Sequence, residues 1–328
     1  MAARGAAPRG GRAAGRLVPG GTPGAGAPPG PVSAPWAAVV VNYEAGDALT
    51  ACVTSLLADD SAGGAPEVVV VDNGSTDGSV ARLRADHPDV AVITPGTNAG
   101  YAAAANRGIA ATTAAVVAVC NPDLVVRPGT GAAMLGAFAD PGVAAAGPRI
   151  LEPDGTTYPS ARRDPGLAVA VGHAALGRIR PDNRWTRAYQ GRDADPGVAR
   201  DVDWVSGAAV WCRRRALADV GGWDEGYFMY LEDVDLAWRL RGAGWRIRYE
   251  PAGVVVHEQG RSTRRHPVRM VVAHHRASLR FCARRWHGVR RLLLVPAAGF
   301  LGVRAGVAAL GAALAARRQR RGGPTGSR

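Results

Sequence analysis

The sequence predicts an α/β fold built on a mostly parallel sheet with helices on both faces. Four apolar runs show no alternation of polar and apolar residues, which is typical of strands buried on both sides. Helix-like patterns separate the first three runs, as in a chain of βαβ units. Polar residues follow each run, at the edge where an open sheet of this kind binds its ligands.

The elements follow one another in a regular order from Trp36 onwards. A strand, a turn and a helix are predicted in AAVVVNYEAGDALTACVTSLLA, and the same order recurs in EVVVVDNGSTDGSVARLRA and AVITPGTNAGYAAAANRGIAA. AAVVAVCNPDLVV supplies the fourth strand. Because the carboxyl ends of parallel strands meet at one edge, we expect the polar residues after the four runs to converge on one crevice.

The second half of the chain is less regular. Residues 127–200 are rich in Arg, Pro, Gly and Asp, with fewer strand-like runs. Beyond them, WVSGAAVWCRR predicts a strand, RALADVGGWDE a short helix that ends at glycines, and residues 231–241 a further helix. WRIRYEPAGVVVHE predicts two strands around a turn.

Three segments are predicted. Residues 1–35 contain mainly Ala, Gly, Pro and Arg, which cannot bury enough apolar surface to offset the ordering entropy, so we expect disorder. Residues 36–285 form the α/β domain. Residues 286–328 form a basic, apolar helical tail, and the stretch 292–316 is long enough to span a bilayer. Because Arg304 and Pro296 interrupt it, a helix on the membrane surface or a helix pair fits better, and packing on the domain is the alternative.

The chain carries a net charge of +13, and all 40 basic residues are arginine. Such a charge suits nucleic acid, anionic lipid or phosphorylated substrates. The polar residues of the crevice argue against a nucleic-acid partner. Four cysteines lie far apart without paired spacing, which favours reduced thiols over a zinc site or a disulfide framework.

Two acids at the strand ends suggest a nucleotide and a metal. Asp72 follows VVVV, where its carboxylate can accept a hydrogen bond from the imide N–H of uracil or thymine, and Tyr43 can stack on such a base. Asp123 in CNPDLVV projects from backbone stiffened by Pro122, and one carboxylate suffices for a cation that bridges a diphosphate. Turn and capping chemistry is the alternative for each motif.

The segment YLEDVDLAWR crowds three carboxylates at the start of the predicted helix. At 100° per residue, Glu232, Asp235 and Arg239 share one stripe, and Asp235 and Arg239 form an acid-before-base pair. Asp233 projects elsewhere, so it is either a general base or an acid that stabilises the helix amino end. His257 ends the apolar run GVVVH. It either contacts a metal or a phosphate, or it is an ordinary histidine of an edge strand.

Taken in chain order, these motifs resemble the inverting glycosyltransferases of family 2, which have the GT-A nucleotide-sugar-binding fold. The resemblance covers about residues 37–285 and is nearest to the rhamnosyltransferase-type enzymes of bacterial cell-wall and surface-polysaccharide assembly. The motifs that carry it are VVVNYEAGDAL, VVVVDNGSTDGS, NAGYAAAANRGI, NPDLVV, GAAVWCRRRALADVGGWDEGYFMYLEDVDLAWRLRGAGWRI and VVHEQGRS.

The resemblance implies roles for individual residues. Asp233 is the catalytic base, Asp123 and His257 are at the metal, and Glu44 departs from the asparagine more usual in this branch. The nucleotide is assigned to Val41, Asn42, Tyr43, Asp72, Asn73, Asn98, Gly100 and Asn121. The acceptor side is assigned to Trp223, Asp224 and Glu232, with Trp223 stacking on a sugar ring.

The resemblance also implies the reaction and its partners. We expect a single displacement with Mg²⁺ or Mn²⁺, a dTDP-linked rhamnose donor, and a lipid-linked saccharide acceptor at the cytoplasmic face of the plasma membrane. UDP-galactofuranose or another UDP-sugar is an alternative donor. A non-catalytic nucleotide-sugar-binding scaffold of the same fold is the rival interpretation.

Overall fold

The computed structural model describes residues 34–164, 169, 172–173, 176–177, 179–191, 194–258 and 267–321, with side chains described as far as residue 311. All of these residues belong to one compact unit. The predicted disorder of residues 1–35 therefore falls almost wholly outside the described residues. The limits of the α/β domain and of the tail stay predictions.

Strands and helices alternate through the first part of the chain, as predicted. They are β1 Ala37–Asn42, α1 Ala48–Leu57, β2 Glu67–Asp72, α2 Ser79–Asp86, β3 Ala91–Ile93, α3 Tyr101–Ala110, β4 Val116–Cys120, β5 Leu124–Val126 and α4 Thr130–Ala137. The remaining strands are β6 Val143–Leu151, β7 Thr157–Tyr158, β8 Ala161–Arg162, β9 Arg200–Val202, β10 Trp204–Val205, β11 Ala209–Arg213 and β12 Arg246–His257. The remaining helices are α5 Arg184–Gln190, α6 Arg214–Asp219, α7 Glu232–Gly242, α8 Pro267–Arg285 and α9 Leu294–Arg321, with a 3₁₀ helix at Gly288–Leu293.

One sheet runs through the described part of the chain in the order β3-β2-β1-β4-β11-β6-β12-β5, with β7 and β9 at its side. Strands β3, β2, β1 and β4 are parallel neighbours. Strand β11 is antiparallel to β4 and β6, while β6 and β12 are parallel. The predicted parallel sheet is thus confirmed, and its second half is mixed.

Both faces of β1 are covered, which explains its unbroken apolar run. Ala37, Val39 and Val41 belong to one hydrophobic cluster, and Ala38 and Val40 belong to the other. Successive side chains of a strand point to opposite faces, so an alternating pattern would have placed polar groups under a helix. The sequence pattern and the two-sided burial therefore have the same cause.

Helices α1 and α3 pack on opposite faces of this part of the sheet. Leu49, Cys52, Val53 and Leu56 of α1 are buried at helical spacing. Helix α3 presents alanines and Gly108, where an added Cβ would lie 2.2 Å from a methyl carbon of Val39. The small residues therefore bring α3 close to the strands, and this fixes the position of its first residues at the sheet edge.

Strand β12 corrects one prediction. WRIRYEPAGVVVHE was expected to form two strands around a turn, but Arg246–His257 is one strand. Its register with β6 shifts between Glu250 and Val254, so the Pro-Ala-Gly segment forms a bulge instead of a turn. The bulge keeps the strand continuous, and the strand carries His257 to the edge where Asp123 lies.

Helices α8 and α9 pack against each other at the end of the chain. The stretch Gly288–Gly311 has a mean hydropathy of 1.8 and, within the described residues, is long and apolar enough to cross a membrane. Large apolar side chains are exposed along it: Val289, Leu292, Val295, Phe300, Val303, Val307 and Leu310. The other part of α9 faces the cavity described below.

Candidate active site

A cavity of about 980 Å³ opens at the carboxyl ends of the parallel strands. Its wall includes Asp123 from the loop after β4 and Asp233 from the first turn of α7. The predicted convergence of these two acids, which lie 110 positions apart in the sequence, is therefore found. Other predicted residues that line the cavity are Val41, Tyr43, Asn73, Asn98, Gly100, Asn121, Glu232 and His257.

The loop before α3 is tied to the segment before α7. Asn98 Oδ1 accepts the Gly100 N–H at 3.0 Å, and Asn73 Nδ2 donates to the Gly100 carbonyl at 3.2 Å. Gly100 has φ +96°, and an added Cβ would lie 2.5 Å from the Phe228 carbonyl oxygen. Only glycine fits where the loop before α3 crosses the segment before α7. Asn98 and Gly100 therefore shape the cavity wall, and their assignment to the nucleotide stays a prediction.

Asn42 and Asp72 hold each other between two loops, and their assignment to the nucleobase stays a prediction. Both side chains are buried and do not line the cavity. Asp72 Oδ1 accepts from Asn42 Nδ2 at 2.8 Å and from the Ser75 hydroxyl at 2.5 Å, while Oδ2 accepts the Ser75 N–H at 3.1 Å. The pair lies side by side in β1 and β2. It therefore holds together the loops that carry Tyr43 and Asn73 to the cavity.

Glu44 receives a structural explanation. Its φ is +55°, a region that asparagine enters more easily than glutamate. Its Oε1 accepts the N–H of Thr76 at 2.6 Å and the Thr76 hydroxyl at 3.0 Å. The longer acid thus bridges the loops after β1 and β2, and these contacts offset the cost of the backbone conformation.

Asp123 and His257 meet, as predicted. His257 Nε2 lies 3.0 Å from Asp123 Oδ1 and 3.3 Å from Asn121 Nδ2. Strands β5 and β12 pair antiparallel with Leu124 opposite His257, so the sheet register itself brings the two side chains together. His257 Nδ1 is buried and has no hydrogen-bond partner among the described residues.

Helix α7 begins after two strained residues. Tyr230 and Leu231 have φ of +73° and +67°, and a left-handed conformation costs each about 1–2 kcal/mol. This turn aims the helix start at the loop after β10. Asp233 Oδ2 accepts the Gly207 N–H at 2.8 Å, and the Gly207 carbonyl accepts the Tyr101 hydroxyl at 2.6 Å. The base candidate is therefore fixed in orientation at the cavity wall.

Asp233 and Glu232 influence each other's ionisation. The enclosed position of Asp233 raises the pKa of its carboxyl, against the effect of the Gly207 and Val234 N–H groups. Burial raises the pKa of Glu232 to about 8, and the charge of Asp233 adds to that rise. The arrangement favours a proton on Glu232 and a charge on Asp233 near neutral pH.

Asp235 has the structural role that the sequence predicted. It is fully buried, and its Oδ2 accepts from Arg239 Nε at 2.7 Å. Arg284 Nε of α8 lies 3.4 Å from its Oδ1, so the pair also ties α7 to α8. Glu232, placed in the same stripe, lines the cavity instead. The three crowded acids therefore serve two functions.

Trp223 and Asp224 correct the prediction for the acceptor side. Trp223 is 2% exposed and packs edge-to-face on Tyr101 with centroids 5.8 Å apart, so it stabilises the core and does not face a sugar. Asp224 accepts from Arg280 at 2.8 Å and pairs with Arg284 of α8. These ion pairs dock α8 on the domain. Neither residue lines the cavity.

Several cavity residues carry no sequence signal. Arg162, His173 and Tyr189 come from the loosely patterned region, Trp204 begins the predicted strand WVSGAAVWCRR, and Arg304 comes from the apolar tail. Local motifs did not single them out because they reach the cavity through long-range packing of β8, α5 and α9 on the sheet domain. Arg162 sits over the Trp204 ring at 4.9 Å from the centroid.

The chain is similar in sequence to two glycosyltransferases of Mycobacterium tuberculosis. Over 263 residues the chain is 40% identical to the N-acetylglucosaminyl-diphospho-decaprenol L-rhamnosyltransferase of Mycobacterium tuberculosis (strain ATCC 25618 / H37Rv), covering 76% of this chain and 84% of that protein. Over 196 residues it is 37% identical to the pre-mycofactocin glycosyltransferase of the same organism, covering 58% of this chain and 37% of that protein.

A solved structure of similar fold is mannosyltransferase PcManGT from Pyrobaculum calidifontis, in complex with GDP-Man and Mn²⁺. It has a TM-score of 0.51 and 19% identity, and covers 89% of this chain and 76% of that one. At that identity the likeness shows the fold alone. Residues 37–217 match the family described as Glycosyl transferase family 2. Together with the rhamnosyltransferase relative, this match shows that the chain belongs to glycosyl transferase family 2.

Proposed function

We propose that this chain is a metal-dependent, inverting glycosyltransferase that transfers rhamnose from dTDP-rhamnose to a lipid-linked N-acetylglucosamine acceptor in cell-wall synthesis. One observation carries the proposal: Asp123 and Asp233 line the same cavity at the carboxyl ends of the parallel strands. A leaving diphosphate and an attacking hydroxyl can therefore meet in one site. The 40% identity to a rhamnosyltransferase named for a diphospho-decaprenol acceptor supports the choice of substrates.

The residues around Asp123 fit a divalent cation. Asp123 Oδ1 and His257 Nε2 lie 3.0 Å apart, so this carboxylate oxygen and imidazole nitrogen could hold one cation together. Within the described residues no cluster of three His, Cys, Asp or Glu side chains is found, so diphosphate oxygens and water would complete the shell. Such a cation would supply positive charge for the departing diphosphate.

The protein's own groups provide the rest of the mechanism. Asp233, held by the Gly207 N–H, accepts the proton of the acceptor hydroxyl, whose oxygen attacks the anomeric carbon from the face opposite the nucleotide. The bond from that carbon to the diphosphate oxygen breaks, which inverts the configuration. Glu232, with its raised pKa, holds a proton beside the base and avoids a second buried charge.

The tail supports peripheral attachment to a membrane at the cytoplasmic face. Helix α9 exposes large apolar side chains on one side, and arginines flank the apolar stretch. Each arginine near an anionic surface contributes about 1 kcal/mol. Arg304 in the middle of the stretch disfavours a simple span. An interfacial helix would bring the cavity to the plane where a lipid-linked acceptor lies.

A donor panel tests the proposal. Purified protein with Mn²⁺ or Mg²⁺ is supplied with dTDP-rhamnose, UDP-galactofuranose and other UDP-sugars, and release of nucleoside diphosphate is measured with a GlcNAc-diphospholipid acceptor. We expect release with dTDP-rhamnose, loss of it with chelator, and a product whose anomeric configuration by NMR is opposite to that of the donor. Failure of every dTDP- and UDP-sugar to bind would refute the enzyme interpretation.

The rival function is a non-catalytic nucleotide-sugar-binding scaffold. It predicts donor binding without turnover and an unchanged biological role for Asp233→Asn. The positioned carboxylate at Gly207 favours the enzyme, since a scaffold has no need of a buried acid with two strained residues before it.

A further inference from the structure

Part of the cavity wall lies outside the loops at the strand ends and is cationic. Arg162, Arg269 and Arg304 line it together with His173 and His274. The acids in the same wall are Asp123, Glu232 and Asp233, all of which the proposed reaction already uses. The arginines have no task in that reaction, so they point to a negatively charged group of a second ligand.

Arg162 lines the cavity and is held in place by hydrogen bonds to its own loop. Its Nε donates to the Pro159 carbonyl at 2.8 Å and its Nη2 to the Tyr158 hydroxyl at 3.1 Å. Neither of these contacts uses Nη1. The guanidinium lies over the Trp204 ring, which orients its plane. A preorganised guanidinium of this kind suits phosphate oxygens.

Arg304 of α9 lines the same cavity as Arg162 of β8. Partial burial of its ring lowers the pKa of His173, and the positive charges of Arg304 and Arg162 lower it further. His173 stacks on Tyr189, with centroids 4.2 Å apart and planes 8° apart. Two arginines from distant parts of the chain therefore both act on one histidine of the cavity wall, and an anion bound there would be attracted by both charges.

The cationic wall continues into an apolar one. Trp286, Ala297, Phe300 and Leu301 line the cavity beside Arg304, and Phe300 is 49% exposed, so this wall reaches the outer face of α9. Burial raises the pKa of the Asp233 carboxyl, and Asp233 lies near enough to Arg162 for that positive charge to oppose part of the rise. The order along the wall is thus a base, a cationic group and an apolar surface.

We propose that Arg162 and Arg304 bind the diphosphate of the lipid-linked acceptor, and that the apolar side chains of α8 and α9 take the first part of its lipid chain. The inference rests on the proposed function, since it places the acceptor sugar at Asp233. A lipid-diphosphate-sugar has hydroxyl, diphosphate and hydrocarbon in the order that the wall presents. The donor has a diphosphate of the same chemistry, so the test separates the two sources.

The test compares two acceptors in each protein variant. One is a short-chain prenyl-diphospho-GlcNAc, and the other is octyl β-GlcNAc, which lacks phosphate. We expect Arg162→Gln and Arg304→Gln each to lower the ratio of kcat/KM for the first over the second at least tenfold. Because the transfer to either acceptor uses the same base, an effect of the substitution on Asp233 changes both kcat/KM values equally and leaves their ratio unchanged. Arg84→Gln on the exposed surface of α2 is the matched control, and Arg162→Lys should restore part of the ratio.

Two results would overturn the inference. One is an unchanged ratio in both glutamine variants whose thermal midpoints match that of the wild type. The other is a rise in the KM for the donor with the acceptor ratio unchanged, which would assign the arginines to the donor. If the wild type transfers sugar to neither acceptor, the proposed function fails instead. Calorimetric binding of farnesyl diphosphate then decides the inference, and equal affinity in wild type and both variants refutes it.

Discussion

The substitution Asp233→Asn tests the assignment of the base most directly. It replaces one carboxylate oxygen with an amide nitrogen that has no lone pair to accept a proton. General base catalysis contributes about 10²–10⁴ in rate, so kcat should fall by that factor, equivalent to about 2.7–5.5 kcal/mol in the activation barrier. KM for the donor should change little, since the donor is assigned to the loops after β1 to β4.

Stability should respond differently at Asp233 and at Asp235. An asparagine at position 233 keeps an oxygen for the Gly207 N–H, which now lies 2.8 Å from the carboxylate, so the free energy of unfolding should change by about 1 kcal/mol or less. Asp235→Asn removes the charge that faces Arg239 and Arg284 in a buried position. Loss of one partner of a buried pair costs about 3–5 kcal/mol.

The assay measures both quantities on both variants. Sugar transfer to the GlcNAc-diphospholipid gives kcat, and urea unfolding followed by circular dichroism gives the free energy of unfolding. We expect Asp233→Asn to be folded and inactive, and Asp235→Asn to be destabilised. Equal turnover by Asp233→Asn and the wild type would refute the base assignment, and equal destabilisation by both substitutions would refute the division of roles.

Three further predictions follow from the same contacts. Gly100→Ala should lower the free energy of unfolding, measured by urea titration, by at least about 2 kcal/mol, because its Cβ would lie 2.5 Å from the Phe228 carbonyl oxygen. Gly96→Ala is the matched control: Gly96 has φ +83° but open space around it, so this substitution should lower the free energy of unfolding by less. Glu232 has a pKa of about 8 in the folded protein against an ordinary 4.5, so its contribution to stability is present below pH 4.5 and is lost as the pH rises to 8. Glu232→Gln should therefore reduce the fall in the free energy of unfolding between pH 6 and pH 8 by about 2 kcal/mol. If the free energy of unfolding depends on pH equally in the variant and the wild type, the pKa of Glu232 is not raised by burial. Asp123→Asn should lower the affinity for Mn²⁺ at least tenfold, as measured by calorimetry in the presence of dTDP. An unchanged affinity would show that Asp123 is not a ligand of the metal.

Much of the site followed from the sequence because local pattern and topology act together. Unbroken apolar runs imply strands covered on both faces, and parallel strands bring their ends to one edge, so Asp123 and Asn98 had to meet there. Helical geometry alone predicted that Asp233 and Asp235 project in different directions. The Asp123–His257 contact was a hypothesis that the register of β5 and β12 confirmed.

Other features depended on packing between distant residues. The motifs of Asp72 and Trp223 did not reveal that neighbouring loops would bury the first and that Tyr101 would cover the second. The bulge in β12 depends on its register with β6.

The amino-acid sequence by itself determined the order of strands and helices, the edge at which ligands bind and the acids able to act there, because these depend on neighbours within one turn or strand. Only the tertiary structure decided which of those polar groups face the cavity and which hold the loops. It also decided that Arg162 and Arg304 line one cavity with His173, because they belong to segments about 140 residues apart, for which no local pattern exists.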